Sequence, residues 1–242
     1  MMDHDQVQEL NNELGQAEPN EIISKLLRHL PNIAIAFSGA EDVLLIEFTN
    51  RHPSPPPIFT LDTGRLHPET YRYIEQVRGY YRRPIESLSP DSNLVDNLVK
   101  TKGLYSFYKD GHEECCNIRK VQPLRKKLTG LDGWITGQRR DQSPSRAEVP
   151  ILEIDKTFSS IEHQVLKVNP LANWTYTQVW EYIRAKDIPY NQLHDQGYSS
   201  IGCEPCTKPI GPNQHEREGR WWWEQNSPKE CGLHRVNIKH VS

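Results

Sequence analysis

The sequence predicts an α/β fold: a mainly parallel sheet flanked by helices, followed by a loop-rich C-terminal tail. Three observations predict it. Short apolar runs of strand length alternate with stretches whose apolar residues recur at helical spacing, the pattern of βαβ units. One such run passes through a loop of small residues straight into a helix. Beyond about residue 190 the periodicity stops, and prolines, of which the chain has 18, point to long loops.

The elements follow in order. Residues 1–18 are polar and read as a frayed N-terminal extension. Residues 20–30 place Ile22, Ile23, Leu26, Leu27 and Leu30 on one helical face, and Pro31 ends that helix. Residues 33–37 read as a buried parallel strand. Ser38-Gly39-Ala40-Glu41-Asp42 follows as a loop, and the apolar run 43–46 opens a helix. Strand, small-residue loop and helix together present backbone N–H groups to a phosphate. Residues 58–62 read as a second strand, ending at Thr63-Gly64. Pro68 suits the first position of a helix that carries Tyr71, Ile74 and Val77. Residues 81–88 read as a third strand and 91–101 as a helix. Trp134-Ile135-Thr136-Gly137 is a strand running into the loop 138–146, and residues 164–168 are a further strand. Thr175-x-x-Gln178 forms a capping box for a helix with Val179, Trp180 and Ile183 that stops before Pro189. The expected organisation is an extension over 1–18, a nucleotide-binding α/β domain over 19–210 and a tail over 211–242.

Composition excludes several classes. The chain has 242 residues, ample for a buried core. Its 29 basic and 32 acidic residues give a formal charge of -3, so no global basic excess draws in nucleic acid, and an anion site must be local. Mean hydropathy is -0.74, and no apolar run approaches the roughly 20 residues of a membrane span. The acidic, polar start lacks the basic and apolar regions of a signal peptide. A cytoplasmic protein without membrane or nucleic-acid partners is expected.

Five cysteines, an odd number without an export signal, favour metal or redox chemistry over structural disulfides. They fall as Cys115-Cys116, Cys203-x-x-Cys206 and Cys231. A C-x-x-C pair grips one metal or cluster, and a second thiolate pair from a distant segment completes a four-sulfur site. Adjacent cysteines on a helix lie about 100° apart. Both can face one site only with strain, and a multi-iron cluster with several corners accepts them more readily than a single zinc ion. Inert buried thiols explain a lone cysteine better than this set. Cys231 stands apart, in Lys229-Glu230-Cys231-Gly232-Leu233-His234-Arg235. Lys229, His234 and Arg235 can lower its pKa and favour a nucleophilic thiolate.

Cations gather near these motifs. Arg119 and Lys120 follow the first cysteine pair, with Arg125, Lys126 and Lys127 further on. Arg139, Arg140 and Arg146 lie in the loop after the Trp134 strand, and Arg217 and Arg220 precede Trp221-Trp222-Trp223. Arginine forks suit phosphate and sulfate oxygens. Lys126 and Lys127 read as solvated surface charges, and some of the tryptophan run as core.

Taken together, these motifs resemble the assimilatory sulfonucleotide reductases, specifically the adenylyl-sulfate (adenosine 5′-phosphosulfate) reductase type. The resemblance covers about residues 30–236. It rests on the 38–42 loop, Leu61-Asp62-Thr63-Gly64, Cys115-Cys116-x-x-Arg119-Lys120, the 134–146 stretch, Cys203-x-x-Cys206, Arg217-x-x-Arg220 and Glu230-Cys231-Gly232-Leu233-His234. It implies an adenine-nucleotide α-hydrolase-like fold. It places Ser38, Gly39 and Asp42 in the nucleotide site, Leu61 and Thr63 near the adenosine, and Gly137 against the nucleotide. Lys120, Arg146, Arg217 and Arg220 would hold the phosphosulfate. Cys115, Cys116, Cys203 and Cys206 would carry one [4Fe-4S] cluster, with Lys120 close to it. Cys231 would attack the sulfate sulfur, and thioredoxin or glutaredoxin would release sulfite. In a chain of 242 residues the fused thioredoxin domain of the plant version is not expected. A homo-oligomer is also expected.

Three alternatives stay open at this point. One is a reductase of the 3′-phosphorylated substrate, whose members generally lack the two cysteine pairs. Another is an ATP pyrophosphatase-type ligase or thiolating enzyme, whose Ser-Gly-Gly-x-Asp-Ser loop is broken here by Ala40 and Val43. The last is a non-catalytic zinc- or cluster-binding regulator, which would need neither Cys231 nor the arginine pairs.

Overall fold

The computed structural model describes residues 2–224, 229–230 and 232–233. Its sheet has six strands: β1 (Ile33–Ala36), β2 (Ile58–Leu61), β3 (Ile85–Leu88), β4 (Gly133–Ile135), β5 (Leu152–Ile154) and β6 (Leu166–Val168). Their order is β3-β2-β1-β4-β6-β5. The pairings β3-β2, β2-β1, β1-β4 and β4-β6 are parallel, and only β5-β6 is antiparallel.

Alternation along the central strands builds two cores. Ile33, Ile35, Ile58 and Ile135 join one apolar cluster, while their neighbours Ala34, Phe59 and Trp134 join another. Successive strand side chains point to opposite faces, so both faces of the sheet are covered. The first cluster receives α1 (His4–Leu14), α2 (Pro19–His29), α3 (Ala40–Thr49), α4 (Pro68–Tyr81) and α9 (Tyr176–Ala185). Between α4 and α9 lie α5 (Ser92–Lys102), α6 (Phe107–Asp110), α7 (Glu113–Cys116) and α8 (Gln122–Leu128). The second cluster receives α8, through Leu124 and Leu128, together with Phe158. A π-helical turn over Asn117–Val121 joins α7 to α8.

Several expectations need correction. Residues 4–14 are helical where the sequence suggested fraying. Asp3 and Gln6 form a reciprocal capping box, and Val7 and Leu14 are buried. Asn11 clamps β5, donating to the Leu152 carbonyl at 2.8 Å and accepting from the Leu152 N–H at 3.0 Å. The helix docks through one narrow edge, so its composition stays polar. Strand β5 escaped notice because it has three residues, only the first of them buried. Tyr81 ends α4 rather than opening β3. Helix α3 begins at Ala40, three residues earlier than the apolar run indicated.

Beyond α9 the chain runs through short turns, as the lost periodicity predicted. Within the described residues of this region, Trp221 is buried and Trp222 is 44% exposed. Lys127 pairs with Glu86 at 2.5 Å on the surface. Among the described residues no helix is long and apolar enough to cross a membrane.

Candidate active site

From β1 the chain proceeds to β2 and β3 on one side, then returns to place β4 on the other. The crevice at the carboxyl ends of strands flanking such a switch point is where open α/β sheets bind ligands. A cavity of about 200 Å³ lies there. Ser38, Gly39, Asp42, Leu61, Thr63, Lys120, Gly137, Arg146, Arg217 and Arg220 all line it. Residues drawn from six sequence segments thus share one space.

The side built by the β1–α3 loop is satisfied from within. Asp42 Oδ2 accepts from the Ser38 N–H at 2.7 Å, the Ser38 hydroxyl at 2.8 Å and the Gly39 N–H at 3.0 Å. Its Oδ1 accepts from the Gly137 N–H at 2.9 Å. The carboxylate of Asp42 thus takes up the loop's N–H groups at Ser38 and Gly39. Burial, then the charge of Glu41, push Asp42 up to about 6 against the pull of Ser38 and Gly39. Gly137 is required by the close approach, since a Cβ there would lie 2.6 Å from Asp42 Oδ1 and 2.6 Å from Glu41 Cβ.

Behind this loop sits a buried charge triad. Arg139 Nη2 donates to Glu41 Oε1 at 2.9 Å and to Glu216 Oε2 at 2.7 Å. Burial works to raise both carboxyls. For Glu41, Arg139 prevails and holds it at about 2. For Glu216, burial and the Glu41 charge prevail and push it up to about 8. Arg139 and Arg140 are therefore structural, contrary to their grouping with Arg146 as ligand cations. Arg140 Nε donates to the Val149 carbonyl at 2.8 Å, and neither arginine lines the cavity.

The opposite side is cationic. Lys120 lies on the π turn, a distortion frequent at functional sites. It lines both this cavity and a smaller adjoining one. Arg119 Nη1 donates to the Thr63 carbonyl at 2.6 Å, tying the helix to the loop after β2. Arg220 packs 4.7 Å from the Trp221 ring centroid. It passes so close to Gly202 that a Cβ there would lie 2.1 Å from Arg220 Nη2. Arg146 grips Glu230 bidentately, Nε to Oε1 at 2.7 Å and Nη2 to Oε2 at 2.7 Å. Arg217 Nη2 donates to Glu230 Oε2 at 3.1 Å and to the Lys229 carbonyl at 2.8 Å. Burial works upward on the Glu230 carboxyl, but Arg217 and Arg146 outweigh it and hold it below the usual range.

The smaller cavity is lined by Cys115, Cys116, Cys203 and Cys206, with Arg65, Arg119 and Lys120 beside them. None of the four is in a disulfide; three are buried and Cys115 is half-buried. The adjacent pair ends α7, where the helical ladder widens into the π turn. Among the described residues, no group of three or more His, Cys, Asp or Glu side chains is arranged to hold a single metal ion. Burial raises Cys206 to about 12. It works the same way on Cys203, but Lys120, the Thr63 hydroxyl and Arg220 outweigh it and hold that thiol below its ordinary value. Cys231 lies outside the described residues.

Sequence reasoning gave no role to four residues at this site. Gln138, His194 and Glu216 line the cavity, and Glu230 pairs with its arginines. Both amide atoms of Gln138 are buried without a hydrogen-bond partner, as are both ring nitrogens of His194. Gln138, Glu216 and Glu230 each neighbour a residue the motifs had picked, which was the available signal. His194, in the turn Gln192–Gln196, had none.

Comparison with known proteins gives the family. Residues 32–209 match the phosphoadenosine phosphosulfate reductase domain. The chain belongs to this family. An adenosine 5′-phosphosulfate reductase of Pseudomonas aeruginosa (strain LESB58) is 54% identical over 231 residues, covering 95% of this chain and 86% of the relative. The chloroplastic 5′-adenylylsulfate reductase 1 of Arabidopsis thaliana is 54% identical over 240 residues, covering 97% of this chain and 52% of the relative. Among solved structures, a phosphoadenylyl-sulfate reductase from Candida auris superposes with a TM-score of 0.72 at 24% identity, covering 87% of this chain and 98% of that one. Yeast FAD synthetase superposes with a TM-score of 0.54 at 11% identity, covering 86% and 70%. These two likenesses concern the fold alone.

Proposed function

We propose that the chain is a thioredoxin-dependent adenylyl-sulfate reductase, converting adenosine 5′-phosphosulfate to sulfite and AMP in sulfate assimilation. The observation that carries this reading is the meeting, in one cavity at the carboxyl ends of the strands, of the β1–α3 loop with Lys120, Arg146, Arg217 and Arg220. Relatives named adenosine 5′-phosphosulfate reductase at 54% identity support the substrate. Ala40 and Val43, where the ATP-cleaving relatives carry glycine and serine, speak against the ligase alternative.

The reaction divides between two parts of the chain. Ser38, Gly39, Asp42, Leu61, Thr63 and Gly137 form the nucleotide floor. The four cations hold the phosphosulfate and offset the repulsion between two anions. The Cys231 thiolate attacks the sulfate sulfur. A sulfur–sulfur bond forms, the bond from sulfur to the phosphate oxygen breaks, and AMP leaves with the electron pair. A thiol of an external dithiol, thioredoxin or glutaredoxin, then attacks the Cys231 sulfur and sulfite departs. The second thiol of that reductant closes its disulfide and restores Cys231, supplying two electrons.

The cysteine cavity fits one iron–sulfur cluster. Its donors are four thiols and no carboxylates, its walls include Phe107 and Trp221, and Arg65, Arg119 and Lys120 offset the charge of a thiolate-bound cluster. Four thiols from two distant segments that share one cavity suit a body with several corners. A [4Fe-4S] cluster bound there would supply an anionic, polarisable centre beside Lys120.

The test is to incubate the purified protein with sulfur-labelled adenosine 5′-phosphosulfate without a reductant. Label should appear on Cys231 with one AMP released, and Cys231→Ser should abolish it. Label transfer that survives that substitution would sink the mechanism. Iron and sulfide analysis should give a brown protein, and a colourless one holding a single zinc would remove the cluster.

A further inference from the structure

The residue before the proposed nucleophile is held at both its ends, more firmly than a surface tail requires. Glu230 is 5% exposed. Its carboxylate takes two bonds from Arg146 at 2.7 Å and one from Arg217 at 3.1 Å. Its backbone carbonyl accepts from His112 Nε2 at 3.2 Å. His112 is itself fixed: its Nδ1 lies 2.7 Å from Glu224 Oε2, and its ring stacks on Trp221 at 4.2 Å. The carbon of that carbonyl is bonded to the nitrogen of Cys231. The two arginines that grip Glu230 line the nucleotide cavity, and His112 lines the cysteine cavity.

Such a grip has a cost that mere anchoring does not repay. A buried carboxylate must be fully paired to be tolerated, and an apolar anchor would hold a tail as well. Both arginines are also the groups expected to receive the substrate's anion. A guanidinium carries five N–H donors in a fixed fork, so a carboxylate and a second anion can be arranged around the same pair. We propose that Glu230 is the positioning residue for Cys231, registering the nucleophile on the same arginines that register the phosphosulfate. This rests on the reductase reading above. Glu230 touches no reacting atom; it sets where the attack begins, and a misplacement near 1 Å costs about 100-fold in rate.

The experiment uses the full-length protein with Glu230→Gln and Glu230→Asp. Three quantities are read: the single-turnover rate of label transfer from adenosine 5′-phosphosulfate to Cys231, the affinity for AMP, and the rate of Cys231 alkylation by iodoacetamide located by mass spectrometry. Glu230→Gln keeps the shape and loses the charge. It should slow label transfer about 100-fold while AMP affinity changes by less than about threefold. It should also raise the alkylation rate, because the segment is no longer held. Glu230→Asp keeps the charge and should recover part of both, which a general folding defect would not do. Transfer by Glu230→Gln at the wild-type rate would overturn the proposal. So would substrate or AMP binding strengthened tenfold or more without a loss of rate, since Glu230 would then be a competitor for the arginines. Failure of the wild-type protein to label Cys231 would overturn the reductase reading instead, while the alkylation comparison would still report whether Glu230 docks the segment.

Discussion

The two sides of the cavity are built on opposite plans. On the side of the β1–α3 loop, three of Asp42's four acceptor bonds come from residues three or four positions away. This side is tied within itself, through the N–H groups of Ser38 and Gly39. On the cationic side, Arg146 meets a partner 84 positions along the chain, and Arg119 reaches back 56 positions to Thr63. This side exists only when distant segments dock. On the proposed function the difference separates two tasks: the locally tied loop would give the nucleotide a fixed shape to fit, and the assembled cations would supply charge where the reaction needs it.

The sharpest way to break the comparison is Lys120→Ala. Lys120 borders both cavities, and a cation facing developing charge is typically worth about 100-fold to 1000-fold, or about 3–4 kcal/mol of barrier. We expect kcat/KM to fall by about that much while the melting temperature moves by only a few degrees. Steady-state kinetics beside thermal unfolding decides it. A fall in stability that accounts for the lost activity would place Lys120 with the structural cations Arg139 and Arg140.

Asp42 should behave the other way. Asp42→Ala leaves the N–H groups of Ser38, Gly39 and Gly137 unpaired in a buried loop, at a cost of about 2–3 kcal/mol of folding stability. Asp42→Asn should be no milder, because an amide turns donors towards donors. Urea unfolding measures both. An asparagine variant as stable as wild type would mean that the loop's N–H groups find other partners.

The same contrast decides what could be read before the structure was known. The apolar runs at 33–37 and 58–62, the capping box at Thr175 and the cysteine spacing are local patterns; the two strands end at the larger cavity, and Cys115, Cys116, Cys203 and Cys206 share the smaller one. The role of Glu230 could not be read, because its meaning comes from two arginines 84 and 13 positions away. Arg139 looked like Arg146 in sequence, and only the packing of Glu41 and Glu216 around it separates the two. The helical extension and β5 were hidden by one-edge burial, which leaves composition polar. The loop's internal bonds were equally unreadable, because Ser38-Gly39-Ala40-Glu41-Asp42 shows its small residues in sequence but not that Asp42 turns back onto Ser38 and Gly39.

The smallest expected effect tests the locally tied side from behind. Glu216 is pushed up to about 8 in the folded protein, against an ordinary value of 4.5. Between those limits the folded state holds a proton that the unfolded state has lost, so stability declines as pH rises from about 4.5 to 8. Glu41, held at about 2, acts in the opposite sense: its contribution is present above 4.5 and is lost as pH falls towards 2. Glu216→Gln removes the first effect and keeps the second. Relative to this variant, the wild type should lose on the order of 2 kcal/mol between pH 5 and 8, read by urea unfolding at several pH values. Equal slopes for the two proteins would mean that Arg139 satisfies both carboxylates together. A proton on Glu216 near neutral pH also keeps one negative charge off the cavity wall, so AMP affinity in the wild type should weaken above pH 8, and in Glu216→Gln it should not.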